Sequence, residues 1–302
     1  MLPFARIAII GLGLLGSSIA RAVRAHMPGA AITGHDANPE TRETARVLGL
    51  VDDVADNAGA AVTDADLVIL CVPVGSMGAV ASAIADDLPA DALISDVGSS
   101  KTNVLAALTA ALPNHAVIPA HPVAGTERSG PEAGFASLFQ NRWCILTPPE
   151  GADSAKIAQL QAFWERLGAN VEVMEAGHHD LVLAITSHLP HLIAYTIVGT
   201  ASDLESVTRS EVIKYSAGGF RDFTRIAASD PTMWRDVFLT NKDAVLEMLQ
   251  RFSEDLTALQ RAIRWGDGDA LFDLFTRTRA IRRSIIEQGQ DDDRPDFGRA
   301  GH

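Results

Sequence analysis

Apolar residues come in two textures along this chain. Through the first half they form short runs bounded by turn residues: Ile7-Ala8-Ile9-Ile10, Ala31-Ile32-Thr33-Gly34, Leu67 to Val72, Leu93-Ile94-Ser95, Val117-Ile118-Pro119, Cys144-Ile145-Leu146 and Val171-Glu172-Val173. Runs this short predict strands, and helical patterns such as Ser154 to Leu167 lie between them. Strand and helix in alternation imply right-handed crossovers and a mostly parallel sheet covered on both faces. Past about Glu175 the runs give way to long helical patterns: Leu181 to Ala201, Met233 to Leu249, Leu256 to Ile263 and Leu271 to Ile286. The prediction is an α/β domain over residues 1–176, an all-α domain over 177–289, and a polar, frayed tail over 290–302.

Composition narrows the partners. The chain has 302 residues, 47% of them hydrophobic and 21% charged, with 25 Lys+Arg against 38 Asp+Glu and a net charge of −13. That is enough apolar material for a real core, and a surplus of anions repels phosphate backbones and anionic lipid heads. Nucleic-acid and membrane partners are therefore not expected. Cys71 and Cys144 are too few for a disulfide framework or a thiolate zinc site, and the N-terminus lacks the basic start and cleavage site of a signal peptide, so a cytoplasmic location is expected. Leu181 to Ala201 carries His188, Pro190 and His191 near its middle and no flanking basic girdle, so it reads as a core or dimer-interface helix.

The chemistry-bearing motifs sit where strands end. Gly11-Leu12-Gly13-Leu14-Leu15-Gly16 follows the first strand and opens a helix, the context of a Rossmann-type dinucleotide fingerprint. Asp36 stands 20 residues beyond Gly16, where a carboxylate can accept from both ribose hydroxyls. The same charge repels a 2′-phosphate, which favours NAD over NADP. A competing role for Asp36 is to cap the helix starting near Pro39. Cys71-Val72-Pro73 ends a strand whose edge lies over the cofactor in such a fold, with Cys71 a pocket-lining residue rather than a nucleophile. Ser99 and Ser100 could be helix caps, whereas His121-Pro122-Val123-Ala124-Gly125-Thr126-Glu127-Arg128-Ser129-Gly130 gathers a ring, a hydroxyl and a carboxylate in what reads as a loop after a strand. Ser187-His188-Leu189-Pro190-His191 lacks a third ligand for a metal, and Arg225 has the fixed donors of a carboxylate clamp or a surface ion pair.

Taken together, these motifs resemble the prephenate/arogenate (cyclohexadienyl) dehydrogenases of tyrosine biosynthesis. The resemblance runs from Gly11 through the helical half and includes Phe220-Arg221-Asp222-Phe223-Thr224-Arg225, Asp230-Pro231 and Trp234. It implies a Rossmann-type nucleotide-binding domain followed by an all-α dimerisation domain, and a homodimer. It also implies NAD-dependent oxidative decarboxylation of arogenate, prephenate or both. His121 and Ser99 match the catalytic positions. His191, Arg225, Thr126, Glu127, Ser187 and Trp234 match the substrate pocket, and residues 11–16, Asp36, residues 71–73 and Ser99 the cofactor side. No metal is expected, and neither is the regulatory amino-acid-binding domain that some relatives carry, for which the chain after Glu287 has no room, nor a chorismate mutase domain at the front. Two rivals share the two-domain plan: a 3-hydroxyacid or imine dehydrogenase with Lys214 or Lys242 as its acid, and a non-catalytic NAD-sensing dimer.

Overall fold

The computed structural model describes residues 2–126, 128–203 and 218–287; Glu127, Lys214 and the tail from Gln290 lie outside the described residues. Strands β1 (Arg6–Ile10), β2 (Ala31–His35), β3 (Asp53–Val54), β4 (Leu67–Leu70), β5 (Leu93–Asp96) and β6 (Ala116–Val117) form an all-parallel sheet in the order β3-β2-β1-β4-β5-β6. Helices α1 (Leu14–His26), α2 (Pro39–Val47), α3 (Ala58–Val62), α4 (Met77–Ile84) and α5 (Thr102–Ala111) lie between the strands. Alternation along β1 explains the unbroken apolar run: Ile7 and Ile9 enter one core, Ala8 and Ile10 the other, as in a strand buried on both faces. Each fully buried Ile contributes about 1.5–3 kcal/mol.

A second sheet was not foreseen. Strands β7 (Ala120–Pro122), β8 (Trp143–Leu146) and β9 (Asn170–Val173) pair in that order, β7 antiparallel to β8 and β8 parallel to β9. His121 therefore lies inside a strand opposite Ile145, not in a loop. The expected strand at Val117 splits into β6 and β7 around Ile118 and Pro119, and the chain changes sheet there. Helix α6 (Ser154–Arg166) sends Leu160, Phe163 and Trp164 into the first core.

The apolar stretch expected as one helix is made of three parts: α7 (Ala176–Leu183), a π-helical turn (Ala184–His188) and α8 (Leu189–Asp203). Pro190 explains the turn, because it has no N–H for the carbonyl of Thr186; the Leu189 N–H bonds Ala184 instead, five residues back. The stretch is long and apolar enough to cross a bilayer by length and composition alone, yet His179, Asp180 and His188 are buried in it as part of a polar network. Burial does not extend along it, since Ile197 and Val198 on α8 are exposed.

Beyond α9 (Gly218–Thr224), the pattern expected as one helix over Met233 to Leu249 breaks into α10 (Pro231–Thr240) and α11 (Lys242–Trp265). Asn241 at the break is buried. Trp234 and Val237 of α10 pack into the second core of the parallel sheet. The chain divides into two compact units, one ending at Leu246 and one beginning at Glu247. In the second, α11 ends in a left-handed Gly266 (φ +67°) and α12 (Gly268–Glu287) follows. Its Ile263, Trp265, Phe272 and Phe275 are exposed.

Candidate active site

The sheet order reverses at β1 and β4, so a crevice opens beyond their C-terminal ends. Gly11 turns the chain there with φ +100°, and a Cβ on it would lie 2.4 Å from the Cys71 carbonyl oxygen. A Cβ on Gly16 would meet the Gly11 carbonyl, so α1 packs this tightly only with glycine at both positions. Gly13 differs, because a Cβ there would meet nothing within 4 Å. It is the N-cap of α1, with no side-chain cap and no acidic residue in the first turn. Free amides at the positive end of a helix, facing open space, fit the diphosphate of a dinucleotide.

Asp36, just past β2, accepts from the Leu12 amide at 2.8 Å and the Asn38 amide at 2.9 Å. Asn38, not Asp36, caps α2. The bond to Leu12 ties the carboxylate to the glycine turn. Cys71, Val72 and Pro73 border the crevice. Burial, and then the charge of Asp96, pushes the Cys71 thiol well above its ordinary value, which leaves no nucleophilic thiolate.

Asp96, at the end of β5, connects this crevice to His121. Lys101 Nζ donates to Asp96 Oδ2 at 2.6 Å and to the Ala120 carbonyl at 2.8 Å, one residue before His121. Both side chains of this ion pair are fully buried. Asp96 also accepts from the amides of Gly98 and Ala120. The turn carrying Ser99 and the strand carrying His121 are thus fastened to one carboxylate.

His121 Nδ1 lies 2.8 Å from His179 Nε2, and His179 Nδ1 lies 2.9 Å from Asp180 Oδ1. Asp180 further accepts from the amides of Lys101 at 2.7 Å and Thr102 at 2.9 Å. Neither Ser99 nor Ser100 caps α5; Asp180 does so from α7. Burial pushes His121 well below its ordinary range, reinforced by His179, Lys101 and His188, so the ring is neutral at pH 7. Burial likewise lowers His179. Burial opposes the charge on Asp180, but its bonds from His179, Lys101 and Thr102 win and hold the carboxyl below the usual range.

His188 and Asn241 join this network to Trp234 and His191. The Asn241 amide donates to the Asp180 carbonyl at 2.9 Å and to His188 Nδ1 at 3.1 Å. Burial pushes His188 down to about 4. Its ring meets Trp234 edge-on at 6.0 Å, and Trp234 stacks on His191 at 3.6 Å. His191 Nδ1 donates to the Ser187 carbonyl at 2.9 Å. Burial, and then the Arg225 charge, lowers the His191 pKa, so Arg225 stands near this ring.

The structure therefore brings together His121, His191, Trp234, Arg225 and the Ser187 backbone, with Ser99 half-buried in the neighbouring turn. Thr126 lies elsewhere, on a cleft of about 330 Å³ lined also by Gly125, Phe135 and Arg142. Lys242 is exposed at the start of α11, which gives the 3-hydroxyacid reading no acid there. Sequence reasoning missed His179, Asp180, Lys101, Asp96 and Asn241. The run His178-His179-Asp180 at the head of an apolar helix was the available signal.

Comparison with known proteins shows the family and the fold. Two family models match, "Prephenate dehydrogenase, nucleotide-binding domain" over residues 19–173 and "Prephenate dehydrogenase, dimerization domain" over residues 175–277. A cyclohexadienyl dehydrogenase of Zymomonas mobilis is 47% identical over 285 residues, 94% of this chain and 97% of the relative. The crystal structure of A. aeolicus prephenate dehydrogenase with hydroxyphenyl propionate and NAD+ superposes with a TM-score of 0.86 at 33% identity, covering 94% of this chain and 98% of that one. Synechocystis arogenate dehydrogenase follows with a TM-score of 0.78 at 26% identity, covering 93% and 99%.

Proposed function

This chain belongs to the prephenate dehydrogenase family, and we propose that it is an NAD-dependent cyclohexadienyl dehydrogenase. Its substrates on this reading are arogenate, prephenate or both, converted to tyrosine or 4-hydroxyphenylpyruvate. The observation that carries the reading is a neutral, buried histidine fastened through Asp96 to a dinucleotide crevice. That pairing suits an oxidation in which a hydroxyl must shed its proton as its carbon loses hydride.

Residues 11–16, Asp36 and residues 71–73 would hold the cofactor: α1 amides on the diphosphate, the Asp36 carboxylate on the ribose. When bound, the nicotinamide supplies the hydride acceptor. His121 accepts the hydrogen bond, and then the proton, of the C4 hydroxyl as C4 gives up its hydride. The ring carboxylate leaves as CO₂, its bonding pair completes the aromatic ring, and the C4 oxyanion takes the proton back from His121 as the phenol forms. Ser99 contacts the same hydroxyl and places the ring against His121. Arg225 binds a substrate carboxylate, His191 orients the substrate from its stacked position on Trp234, and Ser187 holds the His191 ring through its carbonyl; Thr126 and Glu127 are assigned to the pocket mouth by the family resemblance alone. Residues 1–176 serve the nucleotide and 177–289 serve dimerisation and substrate. Both cysteines are free, which suits a reducing, cytoplasmic setting.

Initial rates of NADH formation at about 340 nm, with prephenate and with arogenate, each with NAD and with NADP, test the assignment. Turnover of either acid with NAD is expected, and faster with NAD than NADP. No turnover of either by a protein that binds NAD would refute it.

A further inference from the structure

We propose that His179 and Asp180 are positioning residues that fix His121 in the form protonated on Nδ1, leaving Nε2 bare for the substrate hydroxyl. The proposal rests on the reaction assigned above, but its geometry is independent of it. An ionised carboxylate only accepts. Asp180 Oδ1 takes the Lys101 amide and Oδ2 the Thr102 amide, so the carboxylate is locked across the N-terminus of α5. The 2.9 Å contact from His179 Nδ1 to Oδ1 therefore carries a hydrogen on Nδ1. A neutral His179 then has its lone pair on Nε2. The 2.8 Å contact from that atom to His121 Nδ1 requires the hydrogen to sit on His121. In a neutral ring one nitrogen is a donor and the other an acceptor, so His121 Nε2 is the acceptor.

The same contacts exclude the alternatives. A doubly protonated His179 would satisfy both contacts with the opposite His121 form, but its ring is fully buried beside Lys101, and both burial and that charge disfavour it. A His179 bare at Nδ1 would set a lone pair against the Asp180 carboxylate. The titratable groups around His121 are His179 and Asp180 on α7, His188 on the π turn, and Lys101 with its partner Asp96 below. Within that set Asp180 is the carboxylate joined to His121 through a ring. When His121 takes the proton of the substrate hydroxyl on Nε2, its Nδ1–H already points at a polarised acceptor. The positive charge stays on His121, stabilised by that hydrogen bond and, through the His179 ring, by the fixed Asp180 carboxylate.

The Asn241 side chain supports the assignment from α10's end. It donates to the Asp180 main-chain carbonyl and to His188 Nδ1, which holds α7 against the π turn. The row is thus fixed at its far end by two amides of α5 and one side chain of a third element.

The test uses the full-length protein with ¹⁵N-labelled imidazoles. Two-bond ¹H–¹⁵N spectra read the protonated nitrogen directly, without turnover. The wild type is expected to show His121 protonated on Nδ1. His179→Leu is expected to release it to the Nε2–H form and to lower kcat by about 10²–10³-fold, with KM for NAD unchanged. His179→Gln keeps an oxygen acceptor near the position of Nε2, and is expected to keep the Nδ1–H form and recover most of the lost kcat. A wild-type His121 protonated on Nε2 would overturn the proposal, as would His179→Leu with wild-type kcat. The wild-type spectrum decides the tautomer even if a variant does not fold. A wild type that turns over neither acid while showing the Nδ1–H form would refute the reaction and leave the tautomer assignment standing.

Discussion

Arg225 begins a short 3-10 turn beside His191, and its charge disfavours a second positive charge on that ring. A guanidinium held there can clamp a carboxylate through two parallel bonds in the ground state and the transition state alike. Arg225→Ala is therefore expected to raise KM for prephenate or arogenate about 10- to 100-fold and to change kcat much less. Steady-state kinetics check this, and a loss confined to kcat would contradict the assigned role. At this scale the sequence was partly legible. Asp36 and the glycines could be singled out because each follows a strand at a known kind of turn, and His121 because it stands among polar residues just past an apolar run, although the structure sets it inside β7. His179 and Lys101 could not, since a histidine in an apolar helix is usually inert and a lysine is usually solvated. Their roles come from partners 58 and 5 residues away, and the local run His178-His179-Asp180 marks the first without naming its partner.

Elements, more than single residues, bear the cost of this polar network. The Lys101–Asp96 pair bridges β5 to β7 with both side chains fully buried. Removing one charge leaves the other uncompensated, so Lys101→Met is expected to destabilise the fold by about 3–5 kcal/mol in urea unfolding. A loss below about 1 kcal/mol would show the pair to be dispensable. The buried histidines act through pH. His188 falls from 6.5 to about 4 on folding, so between those values the unfolded chain binds the proton first. Stability is then complete above 6.5 and declines as pH falls, by about 3 kcal/mol from His188 alone. Thermal unfolding from neutral pH down to the pKa of His188 should show that decline, and a smaller one in His188→Gln. Parallel strands and helices were readable from periodicity. The β7 strand was not, because three residues ending in proline carry no period. The break at Asn241 was hidden for a related reason, since one buried amide interrupts an otherwise continuous helical pattern.

For the whole molecule, the order of an α/β part followed by a helical part was legible from the loss of strand-like runs, because buried parallel strands and amphipathic helices have different periods, whereas the division of the compact units between Leu246 and Glu247 falls inside α11 and left no mark in the pattern. The dimerisation domain named by the family model leaves apolar side chains exposed in the single chain, among them Phe272 at 70% and Trp265 at 73%. Such side chains need covering, and sedimentation should give twice the chain mass of 32.1 kDa. A monomer at that mass would leave these helices unexplained. The central claim, that a neutral His121 takes the proton of the substrate hydroxyl beside an intact cofactor site, is tested most directly by His121→Asn. Measured as turnover and as NAD affinity in one preparation, the variant is expected to lose about 10²–10⁴-fold in kcat while NAD binds as before. Turnover unchanged from the wild type would contradict the account.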